Sequence, residues 1–262
     1  MEEPEMRQRR KYIQAMSARM RQVADFVPPC KVIADVGCDH GYVSIYLLHE
    51  KRAEHAIAIE VREGPLLRVE EHCRLAGLTR QMECRLSDGL ERIAPGEVDC
   101  VIIAGMGGML MVDILERGNQ RGVLPEYMVL QPQSDIDKVR IYLQQLGYGI
   151  LQEAFINDKE KYYTVMQVRR GYEEPAYTET EAIYGRYLLE DRNPVLYQYL
   201  QKEYENQEML EARLKLKLNA APTDKLRERM KLLEYERMLN RQARAYYREP
   251  PLPKAIMNGA IH

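Results

Sequence analysis

The strongest chemical signal in this 262-residue sequence is a short segment rich in glycine and acid, Asp35-Val-Gly37-Cys-Asp39-His40-Gly41. It follows an apolar run typical of a β-strand, and glycines at a strand-to-helix junction let backbone N–H groups approach a ligand closely. Asp39 stands in the middle of this loop, where its negative charge would repel a pyrophosphate. Because a carboxylate suits a cofactor that carries an ammonium and a sulfonium, the loop favours S-adenosylmethionine (SAM) over a dinucleotide.

Three further segments place an acid or glycines at the end of a predicted strand. Glu60 comes 23 residues after Gly37, where an acid can accept hydrogen bonds from ribose hydroxyls. Asp88-Gly89 can receive an adenine amino proton, and Gly105-Met-Gly-Gly108 leaves backbone open beside the reacting groups. Ligands of parallel sheets bind at the carboxyl ends of the strands. We therefore expect a single cofactor site made by Asp35, Gly37, Asp39, Gly41, Glu60, Asp88, Gly89, Gly105 and Met106.

The elements that would position these residues alternate between strands and helices. Apolar runs at 31–36, 56–60, 81–85, 98–104 and 127–130 predict strands, and the segments 42–49, 64–76 and 135–146 predict helices. Two β-rich runs at 150–156 and 162–169 flank a polar turn and predict a hairpin. This pattern predicts an α/β fold, a mostly parallel Rossmann-like sheet with a terminal antiparallel hairpin, as in class I SAM methyltransferases.

The pattern changes after residue 171. We expect a Rossmann-like methyltransferase domain over 1–171, which includes a basic amphipathic helix at 5–26, then a helical coiled-coil extension over 172–249 and a tail over 250–262. Two long helices at about 195–219 and 224–247, with Thr223 or Asp224 as the N-cap of the second, predict an antiparallel hairpin. Leu232, Tyr235, Leu239 and Tyr246 are spaced like one face of a coiled coil.

Charge is segregated along the chain. The net charge is only −2, but residues 213–248 contain eleven Lys and Arg and four Asp and Glu, a net +7, which leaves −9 for the remainder. A basic surface is typical of proteins that bind nucleic-acid phosphates. The candidate RNA-binding residues are Arg7, Arg9, Arg10, Lys11, Arg19 and Arg21 in the N-terminal helix and Arg237, Arg241 and Arg244 in the hairpin.

Several classes of protein are disfavoured. No apolar run approaches the ~20 residues of a membrane span, and the charged N-terminus does not resemble a secretory signal, so we expect no membrane association. The five cysteines are scattered, without a C-x-x-C pair, which favours a reducing cytoplasm. The five histidines lack the spacing of metal ligands, so we expect no metal.

Four segments together resemble the bacterial tRNA (adenine(22)-N1)-methyltransferase family (TrmK). They are the loop from Asp35 to Gly41, Ile103-Ala-Gly-Met-Gly-Gly108, Leu130-Gln-Pro132 and Tyr184-Gly-Arg-Tyr-Leu-Leu189, and the resemblance covers about residues 15–247. It implies a Rossmann-like catalytic domain, SAM as cofactor, and methylation of N1 of an adenosine, adenosine 22, in tRNA.

The implied reaction needs no obligatory base, because adenine N1 is neutral and has an in-plane lone pair. We therefore expect the catalytic candidates Asp39 and His40 to hold the cofactor or the edge of the base. The target base must be exposed from the folded tRNA, and Tyr162 and Tyr163 are candidates to stack on it.

Two other functions stay open at this point. One is a small-molecule SAM methyltransferase whose hairpin serves only dimerisation through Leu232, Leu239 and Tyr246. The other is a SAM- or nucleotide-binding module that scaffolds RNA or protein without catalysis. A Rossmann dehydrogenase fits poorly, given Asp39 and the terminal hairpin. The charge distribution favours an RNA-modifying enzyme, and the oligomeric state is left open.

Overall fold

A computed structural model of the protein describes residue 12, residues 14–172 and residues 175–248. The chain divides into two compact units; the first ends at Ala176 and the second begins at Tyr177. No helix among the described residues is both long enough and apolar enough to cross a membrane.

The first unit is built on one seven-stranded sheet with the strand order β3-β2-β1-β4-β5-β7-β6. Strands β1 to β5 are parallel, and β7 runs antiparallel to both of its neighbours. This confirms the predicted Rossmann-like sheet with a terminal hairpin. In chain order the elements are α1 (Ala18–Phe26), β1 (Cys30–Val36), α2 (Tyr42–His49), β2 (Ala53–Glu60), α3 (Glu63–Leu75), β3 (Met82–Leu86), β4 (Cys100–Met106), α4 (Gly108–Gln120), β5 (Tyr127–Pro132), α5 (Ile136–Gln145), β6 (Tyr148–Asp158) and β7 (Lys161–Arg170).

The central strands are apolar along most of their length because both faces of a parallel sheet are covered by helices. Ile102 and Ile103 on β4 and Val129 and Leu130 on β5 are fully buried. The strand order reverses between β1 and β4; in open α/β sheets, ligands bind in a crevice outside the carboxyl ends of the strands at such a switch point. The topology thus predicts a ligand site at the edge where the motif loops lie.

The prediction of one helix over 5–26 was wrong in its extent. The helix that ends at Phe26 begins at Ala18, because the side chain of Ser17 accepts a hydrogen bond from the backbone N–H of Met20 and caps it. Residues 5–11 and 13, which the prediction also covered, lie outside the described residues.

The second unit is helical, with two short helices followed by two long ones that form a hairpin. They are α6 (Glu179–Tyr184), α7 (Arg186–Glu190), α8 (Pro194–Ala220) and α9 (Asp224–Ala245). Thr223 is the N-cap of α9, and its side chain accepts from the backbone N–H of Leu226. The predicted hairpin is present, and the predicted tail over 250–262 lies outside the described residues.

The buried face of α9 agrees with the predicted one at Leu239 and differs from it at other positions. Leu233, Leu239 and Ala243 are buried, whereas Leu232 is 49% exposed and Tyr235 is 40% exposed. A polar residue, Asn240, is also fully buried on this face: its Nδ2 donates to the carbonyl oxygen of Leu200 (2.9 Å) and to Glu203 Oε2 (2.8 Å). The prediction, which considered only the spacing of apolar and aromatic residues, therefore missed Asn240, a central buried position of α9.

Candidate active site

The predicted cofactor residues lie at one edge of the sheet. Strands β1 to β4 are parallel, so the residues that end them meet at the carboxyl edge. Because β7 is antiparallel to both β5 and β6, the end of β6 and the start of β7 reach this same edge. The edge carries the predicted cofactor loops on β1, β2 and β3 and a second group of polar residues on β4, β5, β6 and β7.

Asp35, near the end of β1, connects this strand to the helix that follows the first loop. Its carboxylate is buried and accepts a hydrogen bond of 2.8 Å from the hydroxyl of Ser44 on α2. Burial, with a smaller contribution from the neighbouring Glu60, raises the pKa of Asp35 to about 6 against the lowering effect of its hydrogen bonds to Ser44. The residue joins β1 to α2 and shows little of its surface to the crevice. Ser44 was not predicted as a partner of Asp35, because no local sequence pattern indicates this contact.

The turn after β1 is shaped by Gly37, whose φ of +67° is unfavourable for other residues. Its N–H donates to the carbonyl oxygen of Ile59 (2.9 Å). A Cβ at this position would come within 2.2 Å of the terminal methyl of Met106. The β1 and β4 loops therefore face each other closely across the crevice. The loop ends at Gly41, the N-cap of α2.

Glu60 ties the β1 loop to β2. Its side chain is buried, and Oε1 accepts a hydrogen bond of 2.6 Å from the backbone N–H of Asp39. Its backbone oxygen accepts from the N–H of Ser87, which begins the β3 loop (2.9 Å). The second carboxylate oxygen, Oε2, has no hydrogen bond to a described residue. Glu60 thus presents an acceptor at the junction of three loops.

Asp39 projects into solvent, with 72% of its side chain exposed, and its Oδ2 lies 3.8 Å from Nε2 of His40. The ring of His40 stacks on Tyr42 at 5.3 Å between centroids and lies 5.4 Å from His72. Nδ1 of His72 is 2.9 Å from the carbonyl oxygen of His40. Tyr42 and His72 were not predicted, because a contact between α3 and the β1 loop leaves no local trace in the sequence.

Asp88 lies in the β3 loop and is oriented by an arginine. Both oxygens of its carboxylate accept from the guanidinium of Arg117, each at 3.2 Å, and Glu91 accepts from the same guanidinium at 2.7 Å. The Asp88 side chain is 55% exposed, so it can still accept from a ligand. Gly89 follows with a φ of +56° and packs on Ile114. Arg117 was not predicted.

A second group of residues lies at the ends of β4 and β5, and we call it the acceptor corner (Arg19, Gly105, Gln131 and Tyr163). Nη1 of Arg19 donates to Oε1 of Gln131 at 2.7 Å, and the N–H of Gly105 donates to the same oxygen at 3.1 Å. The Arg19 guanidinium also lies 5.5 Å from the ring centroid of Tyr163. In the sequence, Gln131 stood out only as part of the Leu130-Gln-Pro132 motif.

The two tyrosines considered for base stacking differ in their surroundings. Tyr162 stacks on Phe155 with 5.5 Å between centroids, which is a contact within the β-hairpin. Tyr163 lies beneath Arg19 at the acceptor corner. Of the two, Tyr163 is the one placed beside the crevice.

The candidate RNA-binding arginines are not equivalent. Arg237 is held within the hairpin by ion pairs to Glu208 and Glu211, and its side chain is 18% exposed. Arg244 packs over the ring of Tyr204 at 4.3 Å, and Arg241 is exposed. Arg21 is exposed on α1. Arg7, Arg9, Arg10 and Lys11 lie outside the described residues.

Within the described part of the chain, no group of three or more His, Cys, Asp and Glu side chains is arranged to hold a metal ion. All five cysteines are free thiols.

Comparisons with known proteins agree on a family. The family described as "Methyltransferase domain" matches residues 16–166. The tRNA (adenine(22)-N(1))-methyltransferase of Bacillus subtilis (strain 168) is 30% identical over 222 residues, 83% of this chain and 92% of the relative. The B. subtilis m1A22 tRNA methyltransferase TrmK has a similar structure, with a TM-score of 0.77 and 28% identity over 87% of this chain and 98% of that one. Streptococcus pneumoniae Sp1610 in complex with S-adenosyl-L-methionine gives a TM-score of 0.75 and 30% identity over 87% and 99% of the two chains.

Proposed function

Because this chain belongs to the tRNA (adenine(22)-N(1))-methyltransferase family, we infer that it transfers a methyl group from SAM to N1 of adenosine 22 in tRNA. The observation that carries this conclusion is the extent of the similarity. The 222 aligned residues exceed the length of the first unit, which ends at Ala176, so they include part of the helical unit. A Rossmann-like sheet alone is common to many methyltransferases, whereas the sheet together with this extension is specific to fewer of them.

The residues at the crevice fit SAM. Gly37 has no side chain and a φ of +67°, so a ligand at this turn meets backbone atoms and the flexible end of Met106. The buried Glu60 has Oε1 bonded to the loop and Oε2 without a described partner, which suits a ribose hydroxyl donor. When bound, SAM supplies a methyl group activated by a sulfonium. We propose Gly37, Gly41, Glu60, Gly89, Gly105 and Met106 as its contacts, with Asp35 as support.

We assign the exposed acids of the loops according to their charge and position. Asp39 offers a negative charge beside the crevice for the cationic part of SAM. Asp88, whose carboxylate is fixed by Arg117, offers an acceptor for the adenine amino group of the cofactor. A fixed carboxylate loses less entropy on binding, which favours its use in recognition.

The chain's contribution to catalysis is positioning. Adenine N1 attacks as a neutral nucleophile, so the protein has to hold it in line with the methyl group, and alignment of this kind supplies on the order of 7–11 kcal/mol at the favourable extreme. We propose that Asp39 and His40 hold the cofactor or the base edge and act as no obligatory base. The ring of His40 stacks on Tyr42 and contacts His72, which itself stacks on Tyr42, and this cluster of three rings keeps His40 in place for this task.

We propose that tRNA contacts both units, through the basic N-terminal segment that contains Arg7, Arg9, Arg10, Lys11 and Arg21 and through Arg241 and Arg244 of the hairpin. In this proposal residues 1–171 form the methyltransferase domain and 172–249 the helical extension; the two compact units, which divide between Ala176 and Tyr177, support it. The cytoplasm is the proposed location, which the tRNA substrate and the free thiols support.

The test is to map the methylated nucleoside. Purified protein is incubated with SAM carrying a labelled methyl group and with unmodified tRNA, and the digested product is analysed by mass spectrometry and primer extension. The expected product is 1-methyladenosine at position 22, absent when that adenosine is replaced by guanosine. Methyl transfer to small molecules without tRNA, or SAM binding without any transfer, would support the two alternative functions instead.

A further inference from the structure

In the acceptor corner, Arg19 is held by hydrogen bonds at both its backbone and its guanidinium group. The backbone N–H of Arg19 donates to Oδ2 of Asp158 at the end of β6 (3.2 Å), and its Nη1 donates to Gln131 at 2.7 Å. A Cβ on Gly105 would lie 3.3 Å from the same Nη1 atom, so the guanidinium passes directly over the end of β4. Arg19 is therefore held at the edge of the crevice on the side of β4 and β5.

The side-chain amide of Gln131 uses its hydrogen-bonding groups within the acceptor corner. It is fully buried, its Oε1 accepts from both Arg19 and Gly105, and its Nε2 donates to the carbonyl oxygen of Pro132 at 3.0 Å. An amide oxygen has two lone pairs, and both are used here. Gln131 therefore cannot accept the N6 amino proton of a target adenine without releasing Arg19, and its role is to position that arginine.

Arg19 keeps most of its binding capacity. The guanidinium has five N–H groups, and only one of them is bonded to a described residue. It forms no direct ion pair with any carboxylate among the described residues; the nearby Asp158 accepts from the backbone N–H and feels the charge of Arg19 only at longer range. A half-buried guanidinium with no direct ion pair to a described residue, beside the ring of Tyr163, can bind an anion that accepts several hydrogen bonds.

The chemistry of the substrate selects which anion this is. N1 of the target adenine must keep its lone pair free for the methyl group, and the adjacent N6 is a donor, so a guanidinium is unsuited to that edge of the base. An extruded nucleotide also needs its backbone fixed beside the active site. Building on the proposed function, we propose that Arg19, positioned by Gln131, binds the phosphate that adjoins the target adenosine.

The experiment is a double-mutant cycle between protein and RNA. Full-length tRNA is assembled from two synthetic halves so that the phosphate on the 5′ or the 3′ side of the target adenosine is a neutral methylphosphonate. For one of these two substrates, kcat/KM of the wild-type protein should fall about 10–100-fold, as expected for loss of a charge-assisted contact. Arg19→Ala should lose a similar factor on ordinary tRNA and little more on that methylphosphonate tRNA.

Two variants and one binding measurement exclude a merely structural effect. Arg19→Lys keeps the charge without the planar fork and should recover part of the lost kcat/KM. Arg80→Ala, at an exposed arginine before β3 on the opposite edge of the sheet, removes the same charge and should respond to the methylphosphonates as the wild type does. The Kd for SAM, measured by calorimetry, should be the same for all four proteins.

Some results would overturn the proposal. If the methylphosphonate penalties are as large for Arg19→Ala as for the wild type, Arg19 does not contact either phosphate. If Arg19→Ala binds SAM much more weakly than the wild type, its role lies in the cofactor site. If the wild type methylates no tRNA at all, the proposed function fails and this inference with it, whereas an active wild type with additive penalties refutes this inference alone.

Discussion

Asp35 and Glu60 lie on neighbouring strands at the same edge of the sheet, but their carboxyl groups have different partners. Asp35 accepts from the hydroxyl and the backbone N–H of Ser44, whereas Glu60 accepts from the backbone N–H of Asp39. Burial without a positive partner favours the protonated form of a carboxyl group. We therefore expect Asp35 to affect the pH dependence of the free energy of unfolding, and Glu60 to affect the affinity for SAM.

The raised pKa of Asp35, about 6, makes a prediction about stability and pH. In the unfolded chain this carboxyl titrates near pH 4, so between pH 5 and 7.5 the folded state releases a proton that the unfolded state has already lost. The contribution of Asp35 is therefore greatest at low pH and is lost as the pH rises through 6. Compared with Asp35→Asn, the wild type should lose roughly 1–1.5 kcal/mol of unfolding free energy over this interval.

Urea denaturation of both proteins at pH 5 and pH 7.5, without cofactor, measures this difference. The other titrating groups are shared and cancel in the comparison. A wild-type-minus-variant difference that is the same at both pH values would show that Asp35 has an ordinary pKa.

Glu60→Gln tests the proposed cofactor contact. Glutamine keeps an amide oxygen for the N–H of Asp39, but it replaces the second carboxylate oxygen with a donor and removes the charge. The Kd for SAM should rise about 10–100-fold, as for loss of charge-assisted hydrogen bonds. Glu54→Gln, at an exposed position on the same strand, is the matched control and should bind SAM as the wild type does. Equal affinities of the two variants in calorimetry would exclude Glu60 from the site.

At the scale of elements, the start of α4 is fixed by its contact with the loop after β5. Gly108 donates from its N–H to the hydroxyl of Ser134 at 3.3 Å, and a Cβ at Gly108 would lie 2.2 Å from the backbone oxygen of Ser134. The obstacle is backbone rather than a flexible side chain, so the two loops must separate to admit any other residue. This contact holds the ends of β4 and β5 together beneath the acceptor corner.

Gly108→Ala should therefore destabilise the protein by about 1–3 kcal/mol, the usual cost of overpacking. Gly64→Ala is the matched control, because Gly64 lies in α3 and a Cβ there meets nothing within 4 Å. It should be neutral or stabilising by up to about 1 kcal/mol, since alanine is the better helix former. The urea concentrations at the midpoints of unfolding of Gly108→Ala and Gly64→Ala measure this difference in stability. Coincident midpoints would show that the two loops separate without cost.

The hairpin offers a test of which face of α9 is packed. Leu233 is fully buried and Leu232 is 49% exposed, although the two are adjacent. Leu233→Ala should cost about 2–5 kcal/mol and Leu232→Ala much less. Hydrogen exchange of the amides of α8 and α9 in the folded protein should accelerate by at least about 30-fold in Leu233→Ala. Acceleration that is greater in Leu232→Ala would restore the face predicted from the apolar spacing.

At the scale of the whole molecule, charge is distributed unevenly along a chain with a net charge of −2. The segment 213–248 has a net charge of +7, although some of its cations, such as Arg237, are engaged by acids of the hairpin. Lys217, Lys225 and Lys231 are exposed and have no ion pair with a described residue. Such lysines bind phosphates without regard to sequence, and binding releases counter-ions from the RNA.

The affinity for tRNA should therefore fall steeply with salt. Replacing Lys217, Lys225 and Lys231 together by alanine should reduce the slope of log K against log salt by up to about 2–3, if each contacts one phosphate. The control replaces Lys31, Lys51 and Arg80, three exposed cations at the amino edge of the sheet, away from the site. Fluorescence titrations at several salt concentrations measure the slopes. The same slope for both triple variants would show that these lysines of the hairpin do not contact RNA phosphates.

The amino-acid sequence by itself determined the alternation of strands and helices, the sheet with its terminal hairpin, and the edge at which the motif loops meet. These follow from local signals: apolar runs, glycine turns and caps act over a few residues, and the chain connectivity of a parallel sheet brings strand ends together. The similarity of four motifs also indicated the family, which the comparisons confirmed.

Only the tertiary structure decided which side chains meet. The Arg19–Gln131 bond joins residues 112 positions apart, and the pairing of Asp88 with Arg117 spans 29. The buried face of α9 likewise includes an amide, that of Asn240, whose partners lie on α8, 40 and 37 positions away in sequence. Such contacts depend on rotamers and loop paths that many distant residues fix jointly, so no local pattern encodes them.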